Sequence, residues 1–152
     1  MSGASARAWR LALALCGLVV ALDQGAKGLV ESQLVPGQHV EVLGPLELVL
    51  SHNQGIAFGL ASGGGAGLIA LTVAALAFVA VLFAREPTRP GMWVAMGLLA
   101  GGALGNLADR LRADAVTDYV AFLSWPPFNL ADAAITAGVL LLALSYLRDS
   151  KR

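Results

Sequence analysis

The sequence predicts an all-α membrane protein, a bundle of four transmembrane helices carrying a small extracytoplasmic β-hairpin or sheet. Three observations predict it. The 152-residue chain is 57% hydrophobic and only 13% charged, against roughly a quarter charged in soluble domains, and its mean hydropathy is +0.73. Four windows each approach the length of about 20 apolar residues that a bilayer core requires. The basic residues are also segregated along the chain in a way that fits an even number of crossings. One integral membrane domain over residues 1–152 accounts for the length. The formal net charge of +0 gives no reason to expect a nucleic-acid partner. The single cysteine, Cys16, excludes an internal disulfide, and two histidines, His39 and His52, are too few for a zinc site by themselves.

The first span is expected over residues 11–30, with Asp23, Gln24 and Lys27 near its end. It reads as a span and not as a cleaved leader, because Leu15 is large where lipoprotein leader sites want a small residue before the cysteine. Cys16 is then a packed helix residue. The outer loop, residues 31–64, contains HVEVLGPLELVLS, two partly alternating runs about a Gly44-Pro45 turn, which predict a hairpin. Gly63 to Gly65 read as a hinge before the second span at 65–84, which carries no charge. The third span, 91–108, has Gly97, Gly101 and Gly105 at four-residue intervals, a smooth face for close helix packing. The second outer connection, 109–127, has a further strand candidate before Phe122 and a rigid aromatic return through Trp125, Pro126, Pro127 and Phe128. The fourth span is 128–147.

Arg7, Arg10, Arg85, Arg89, Arg148, Lys151 and Arg152 all fall on one side of such a bundle, the cytoplasmic side by the positive-inside rule. The unusual polar residues then gather near the other side. Asp23 and Lys27 are four apart, a spacing that permits an ion pair, and that pair has a plain reading as mutual neutralisation. Asn106, Asp109 and Arg110 end the third span, with Asp109 expected to anchor Arg110 or the helix terminus. Asn129 and Asp132, three apart, share a face of the fourth, and they also read simply as an N-cap and an N3 acid. Asn53 and Asp118 lie in the outer loops. Five segments aiming polar groups at one level exceed what capping requires.

Among reactive groups, no serine, threonine or cysteine has a recognisable base beside it. Ser51 and His52 are adjacent in a strand and point to opposite faces. There is no HExxH, CxxC or phosphate loop. Two carboxylates remain, Asp118 and Asp132, flanking one short aromatic connection. Two carboxylates in contact share a proton, so one serves as acid and the other as base, without a metal or other cofactor. Rival readings from the same residues are a small transporter or proton-conducting protein and a non-catalytic assembly factor.

DQGAK (23–27), NQGIAFG (53–59), GALGNLADR (102–110), VTDY (116–119) and FNLADAAI (128–135) occur in this order on the four spans. Together they strongly resemble lipoprotein signal peptidase, also called signal peptidase II, from span one to span four. The resemblance implies an aspartic endopeptidase of the bacterial inner membrane that cleaves diacylglyceryl-modified prolipoproteins just before the lipid-bearing cysteine. It implies partners limited to such prolipoproteins and membrane lipid, with no oligomer required. It places both termini in the cytoplasm and the site near the outer face. The catalytic dyad matches Asp118 and Asp132. The supporting residues, for substrate or dyad, match Asp23, Lys27, Asn53, Asn106, Asp109, Arg110 and Asn129. The outer hairpin is expected as a platform or lid. Tyr119 stands where the family commonly has Phe and keeps the ring.

Overall fold

The structure, a computed structural model, describes residues 2–55 and 66–149. The Gly63–Gly65 hinge, residues 56–59 of the NQGIAFG motif, the outer loop from 56 to 64, Lys151 and Arg152 lie outside the described residues. The chain forms helix α1 (Gly3–Gln33), strands β1 (His39–Leu43) and β2 (Leu46–Asn53), helices α2 (Ala66–Arg85) and α3 (Met92–Ala113), strands β3 (Val116–Phe122) and β4 (Trp125–Phe128), and helix α4 (Leu130–Asp149). Three of the helices, at Gly3–Gln33, Ala66–Arg85 and Leu130–Arg148, are long and apolar enough to cross a membrane. In α3 the glycines at 97, 101, 102 and 105 and the polar Asn106 and Asp109 dilute the hydropathy. That helix is the centre of the bundle and packs along both α1 and α4.

Glycines set how closely it packs. A Cβ on Gly97 would meet Leu15 at 2.8 Å, one on Gly101 would meet Val19 at 2.6 Å, and one on Gly105 would meet the Asp23 carboxylate at 2.6 Å. The four-residue glycine row is therefore the α1 seam. Gly102, one position round the helix, faces the Ala131 carbonyl and Ile135 of α4. Outward-facing Leu13, Leu18, Leu22 and Leu29 on α1, Leu71 and Phe78 on α2, and Leu140 and Leu147 on α4 are more than half exposed. So large an apolar surface suits lipid and not water.

The two ends of the bundle differ. At one end Ala8 and Ala12 of α1, Phe83 of α2 and Met92 of α3 form an apolar cluster. There the Trp9 and Phe83 rings meet edge to face at 4.6 Å, and Arg89 lies 4.0 Å over the Tyr146 ring of α4. The start of α1, the end of α2, the start of α3 and the end of α4 thus meet where Arg7, Arg10, Arg85, Arg89 and Arg148 sit. At the other end α1 continues past the bundle. Its 31 residues extend about 46 Å, beyond a hydrocarbon core of roughly 30 Å.

That protruding end carries the sheet. Val30 of α1, Leu50 of β2 and Tyr119 of β3 form a second apolar cluster, with Ala26, Leu34 and Leu48 packed against it. The sheet is antiparallel in the order β1-β2-β3-β4. The predicted hairpin is present, with Gly44 at φ +55° in its turn, a backbone region open to glycine. The strand candidate before Phe122 is β3, at the interior of the sheet. The aromatic return is itself a strand, β4, and lies at the sheet edge, where the missing N–H groups of Pro126 and Pro127 break no ladder. The register pairs Ser51 with Asp118 and Asn53 with Val116, so Asn53 lies diagonally across from Asp118 on the same face.

Candidate active site

Five elements, α1, β2, α3, β3 and α4 with its cap, deliver the polar residues. α3 ends at Asp114, whose left-handed backbone (φ 53°) closes the helix with its N–H on the Arg110 carbonyl. An αL stop of this kind turns the chain sharply, and within two residues β3 begins. Its first four residues, Val116 to Tyr119, are all buried. Asp118 is thereby pinned at the helix–sheet junction, 2% exposed. After β4 the chain enters α4 through Asn129. The Asn129 Oδ1 accepts from the Asp132 N–H at 2.9 Å, and the Asn129 N–H donates to Asp132 Oδ2 at 3.3 Å. That reciprocal pair is a capping box, so the plain capping reading holds. The same residues do more than cap.

The Asn129 Nδ2 donates to Asp118 Oδ1 at 2.7 Å, to the Thr117 carbonyl at 3.2 Å and to Asn106 Oδ1 at 3.2 Å. Asn106 Nδ2 donates to Asp132 Oδ1 at 2.8 Å. Asn53 Nδ2 donates to Asp118 Oδ2 at 3.1 Å, while its Oδ1 accepts from the Gly55 N–H at 2.8 Å. Both carboxylates therefore belong to one hydrogen-bonded group, bridged by a single asparagine. Burial pushes the Asp118 carboxyl up to about 6. Its bond from Asn53 opposes that rise, the charge on Asp132 adds to it, and Asn129 and Lys27 oppose it.

Behind the carboxylates lies a buried ion network. Lys27 Nζ is 2.7 Å from Asp23 Oδ2 and 2.7 Å from Asp109 Oδ2, and it donates to Asn106 Oδ1 at 3.0 Å. The four-residue spacing of Asp23 and Lys27 thus makes the ion pair it permits. Asp23 Oδ1 also accepts the Ala131 N–H at 3.0 Å, tying α1 to the first turn of α4. Asp109 does not anchor Arg110. It pairs with Lys27 and with Arg112 at 2.9 Å, because its side chain turns towards α1, and it takes a further bond from Gln24 at 3.0 Å. Arg110 lies on a different face of α3, where its side chain lines the cavity described below and, among the described residues, makes no ion pair or hydrogen bond. Sequence reasoning missed Gln24 and Thr117 as parts of this network. Gln24 lies inside the DQGAK motif, and Thr117 is the residue before Asp118.

In front of Asp132 is a cavity of 480 Å³ between α2, α3 and α4, with Asp118 outside its lining. Its polar head is Asn53, Asn106, Arg110 and Asp132, and its body is Leu71, Ala75, Val79, Leu99, Ala103, Ile135 and Val139. An apolar body closed by a polar head suits an apolar group that carries a polar end. Among the described residues, no group of three or more His, Cys, Asp and Glu side chains is placed to hold a metal ion. All nine sequence-predicted site residues thus converge here, with Asp23 and Asp109 set behind the carboxylates and Arg110 at the cavity.

A family profile described as signal peptidase (SPase) II matches residues 15–148. The chain is 41% identical over 140 residues to the lipoprotein signal peptidase of Pelotomaculum thermopropionicum, covering 91% of this chain and 92% of that one. It is 46% identical over 141 residues to the lipoprotein signal peptidase of Brucella ovis, covering 89% and 88%. Two solved structures described as bacterial membrane enzymes share the fold. One, at 2.3 Å resolution, has a TM-score of 0.84 at 30% identity and covers 91% of this chain and 88% of its own. The other, at 1.9 Å, has a TM-score of 0.76 at 27% identity and covers 91% and 93%.

Proposed function

This chain belongs to the signal peptidase II family of bacterial membrane peptidases, and on that premise we propose that it is an aspartic endopeptidase with Asp118 and Asp132 as its catalytic pair. The observation that carries the proposal is the single asparagine, Asn129, bonded to both carboxylates, of which Asp132 stands at the polar head of an apolar cavity. The substrate is a diacylglyceryl-modified prolipoprotein, cut just before the lipid-bearing cysteine. Its apolar leader occupies the cavity body, and its lipid holds the scissile bond at the polar head.

One carboxylate of the pair is ionised and takes a proton from a water, whose oxygen attacks the scissile carbonyl. The other is protonated and donates to the carbonyl oxygen as the tetrahedral intermediate forms. The intermediate collapses when its C–N bond breaks, the proton on the first carboxyl passes to the leaving amine, and the second recovers its own. The raised Asp118 carboxyl supports such sharing, since it keeps its proton to higher pH than an ordinary carboxyl does. Asn53, Asn106 and Asn129 orient the pair, and Arg110 faces the substrate from the cavity wall.

In this reading all four helices span the bilayer. α3 crosses although it is not among the three helices apolar enough by composition, because α1 and α4 cover its glycine faces. Both termini lie in the cytoplasm with the arginine-rich end, the site faces the outer surface, and the sheet forms a platform above it. Below Asn106 and Asp132 the cavity lining is apolar except for Thr72, which gives the transporter reading no path to use.

Purified protein in nanodiscs, given a diacylglyceryl-modified prolipoprotein and its unlipidated form, tests the proposal by mass spectrometry of the products. The expected result is one cut, immediately before the modified cysteine, in the lipidated form alone. Equal cleavage of both forms, or none, would overturn it.

A further inference from the structure

Lys27 is 2% exposed, and its ammonium has three protons for three acceptors, Asp23, Asp109 and Asn106. It bonds to neither Asp118 nor Asp132 among the described residues, and it has no proton left for a substrate. Two carboxylates already neutralise it, and its charge reaches Asp118 only as the smallest of the influences on that carboxyl. What remains is its third bond.

A side-chain amide has nearly the same shape in two orientations, with opposite hydrogen-bonding character at its ends. Asn106 therefore has two ways to face Asp132. With the Lys27 proton on its Oδ1, one is permitted: the Nδ2 points at Asp132 Oδ1, 2.8 Å away. The reverse orientation sets an amide oxygen against a carboxylate and an NH2 against an ammonium. The held Oδ1 also accepts from Asn129 Nδ2 at 3.2 Å, and the same nitrogen donates to Asp118 Oδ1 at 2.7 Å. The Asn129 Oδ1 is held in turn by the Asp132 N–H at 2.9 Å. The polarity passes from ammonium to first amide to second.

We propose that Lys27 is a positioning residue whose buried ammonium fixes the orientation of the Asn106 amide, and through it Asn129, so that both amides donate to the Asp118–Asp132 pair. This rests on the reading of those aspartates as catalytic. The orientation is set when the protein folds, so no reorganisation is needed during turnover. Lys27 does not line the 480 Å³ cavity, so its loss acts on turnover and not on substrate binding.

The test is Lys27→Met combined with Asp109→Asn, which removes one charge of each sign and keeps the buried charge balance. With lipidated prolipoprotein, kcat falls about 100-fold, the scale of a lost preorganised donor, while KM stays within about threefold. In an Asn106→Leu background the same pair of substitutions costs less than about threefold more, because the linking amide is already gone. Lys27→Arg, which keeps a charged donor, recovers most of the lost kcat. A double variant within threefold of wild-type kcat, a loss carried by KM, or full additivity with Asn106→Leu overturns the proposal. A second readout needs no variant. In wild-type protein with 15N-labelled asparagine, the Asn106 and Asn129 side-chain amide protons resist solvent exchange, and fast exchange at either contradicts their being held. Wild-type protein that folds but does not cleave would overturn the peptidase reading and this inference with it. Active wild type with an unaffected double variant would overturn this inference alone.

Discussion

Gly105→Ala places a methyl group where α3 crosses the buried ion network. The new Cβ would lie 2.6 Å from Asp23 Oδ2, while ordinary contact begins at 3.4 Å, so something must move by about 0.8 Å. Asp23 is fully buried and bonded to Lys27, Gln24 and the Ala131 N–H, so it has no free direction in which to give way. If the shift falls on the Lys27 bond, its 2.7 Å separation opens to about 3.5 Å. At an effective dielectric of about 20 the attraction drops by about 1.4 kcal/mol. Overpacking adds about 1–3 kcal/mol, and the better helix propensity of alanine returns up to about 1 kcal/mol. The net cost is about 1.5–3.5 kcal/mol, or roughly 5–10 °C in Tm at this chain length. Gly25→Ala is the matched control, since nothing lies within 4 Å of the Cβ built there and the propensity gain is the same. Thermal unfolding in one detergent, followed by intrinsic fluorescence, compares the two. Gly105→Ala is expected well below wild type, and Gly25→Ala at or above it. Equal Tm values for the two variants would refute the reasoning.

Three further outcomes follow from the site. Because the folded Asp118 carboxyl stands at about 6 against an ordinary 3.8, the folded state holds its proton more tightly, and stability falls as pH rises through that window. Asp118→Asn is free of this loss, so its Tm should match wild type near pH 4 and exceed it at pH 7.5; a pH-independent difference would contradict the burial account. Tyr119 accepts the Leu130 N–H on its hydroxyl at 3.2 Å, so Tyr119→Phe should cost about 1 kcal/mol with kcat within about twofold, and a large kcat loss would mean the ring does more than support α4. Asn53→Ala removes a donor that holds the Asp118 carboxyl down, so the pH profile of kcat/KM should move to higher pH, and an unmoved profile would separate Asn53 from the titrating pair.

Helices and site were legible in the sequence to different degrees. The apolar windows give the helices because bilayer thickness fixes their length, yet they miss the extensions. α1 runs from Gly3 to Gln33 because its last turns pack against Leu50 and Tyr119, a tertiary contact with no local signal. Trp125–Phe128 reads as a rigid turn because proline disfavours strands, and it is a strand because the sheet edge needs no N–H from Pro126 or Pro127. The five ordered motifs carry the side chains that the fold brings together around Asp118 and Asp132. Spacing along one helix cannot say which partner a side chain meets on another. Asp109 and Arg110 are adjacent in sequence, yet Asp109 turns towards Lys27 of α1 and Arg110 towards the cavity. Asn129 was readable as a cap and as a site residue, and its two ends allow it to be both.

The most direct test of the central claim is single-turnover cleavage of a diacylglyceryl-modified prolipoprotein by wild type, Asp118→Asn and Asp132→Asn, with and without a strong chelator. The account predicts cleavage by wild type at the same rate in chelator, and none by either variant although both remain folded. Cleavage retained by either asparagine variant, or abolished by the chelator, would contradict an aspartic pair at Asp118 and Asp132.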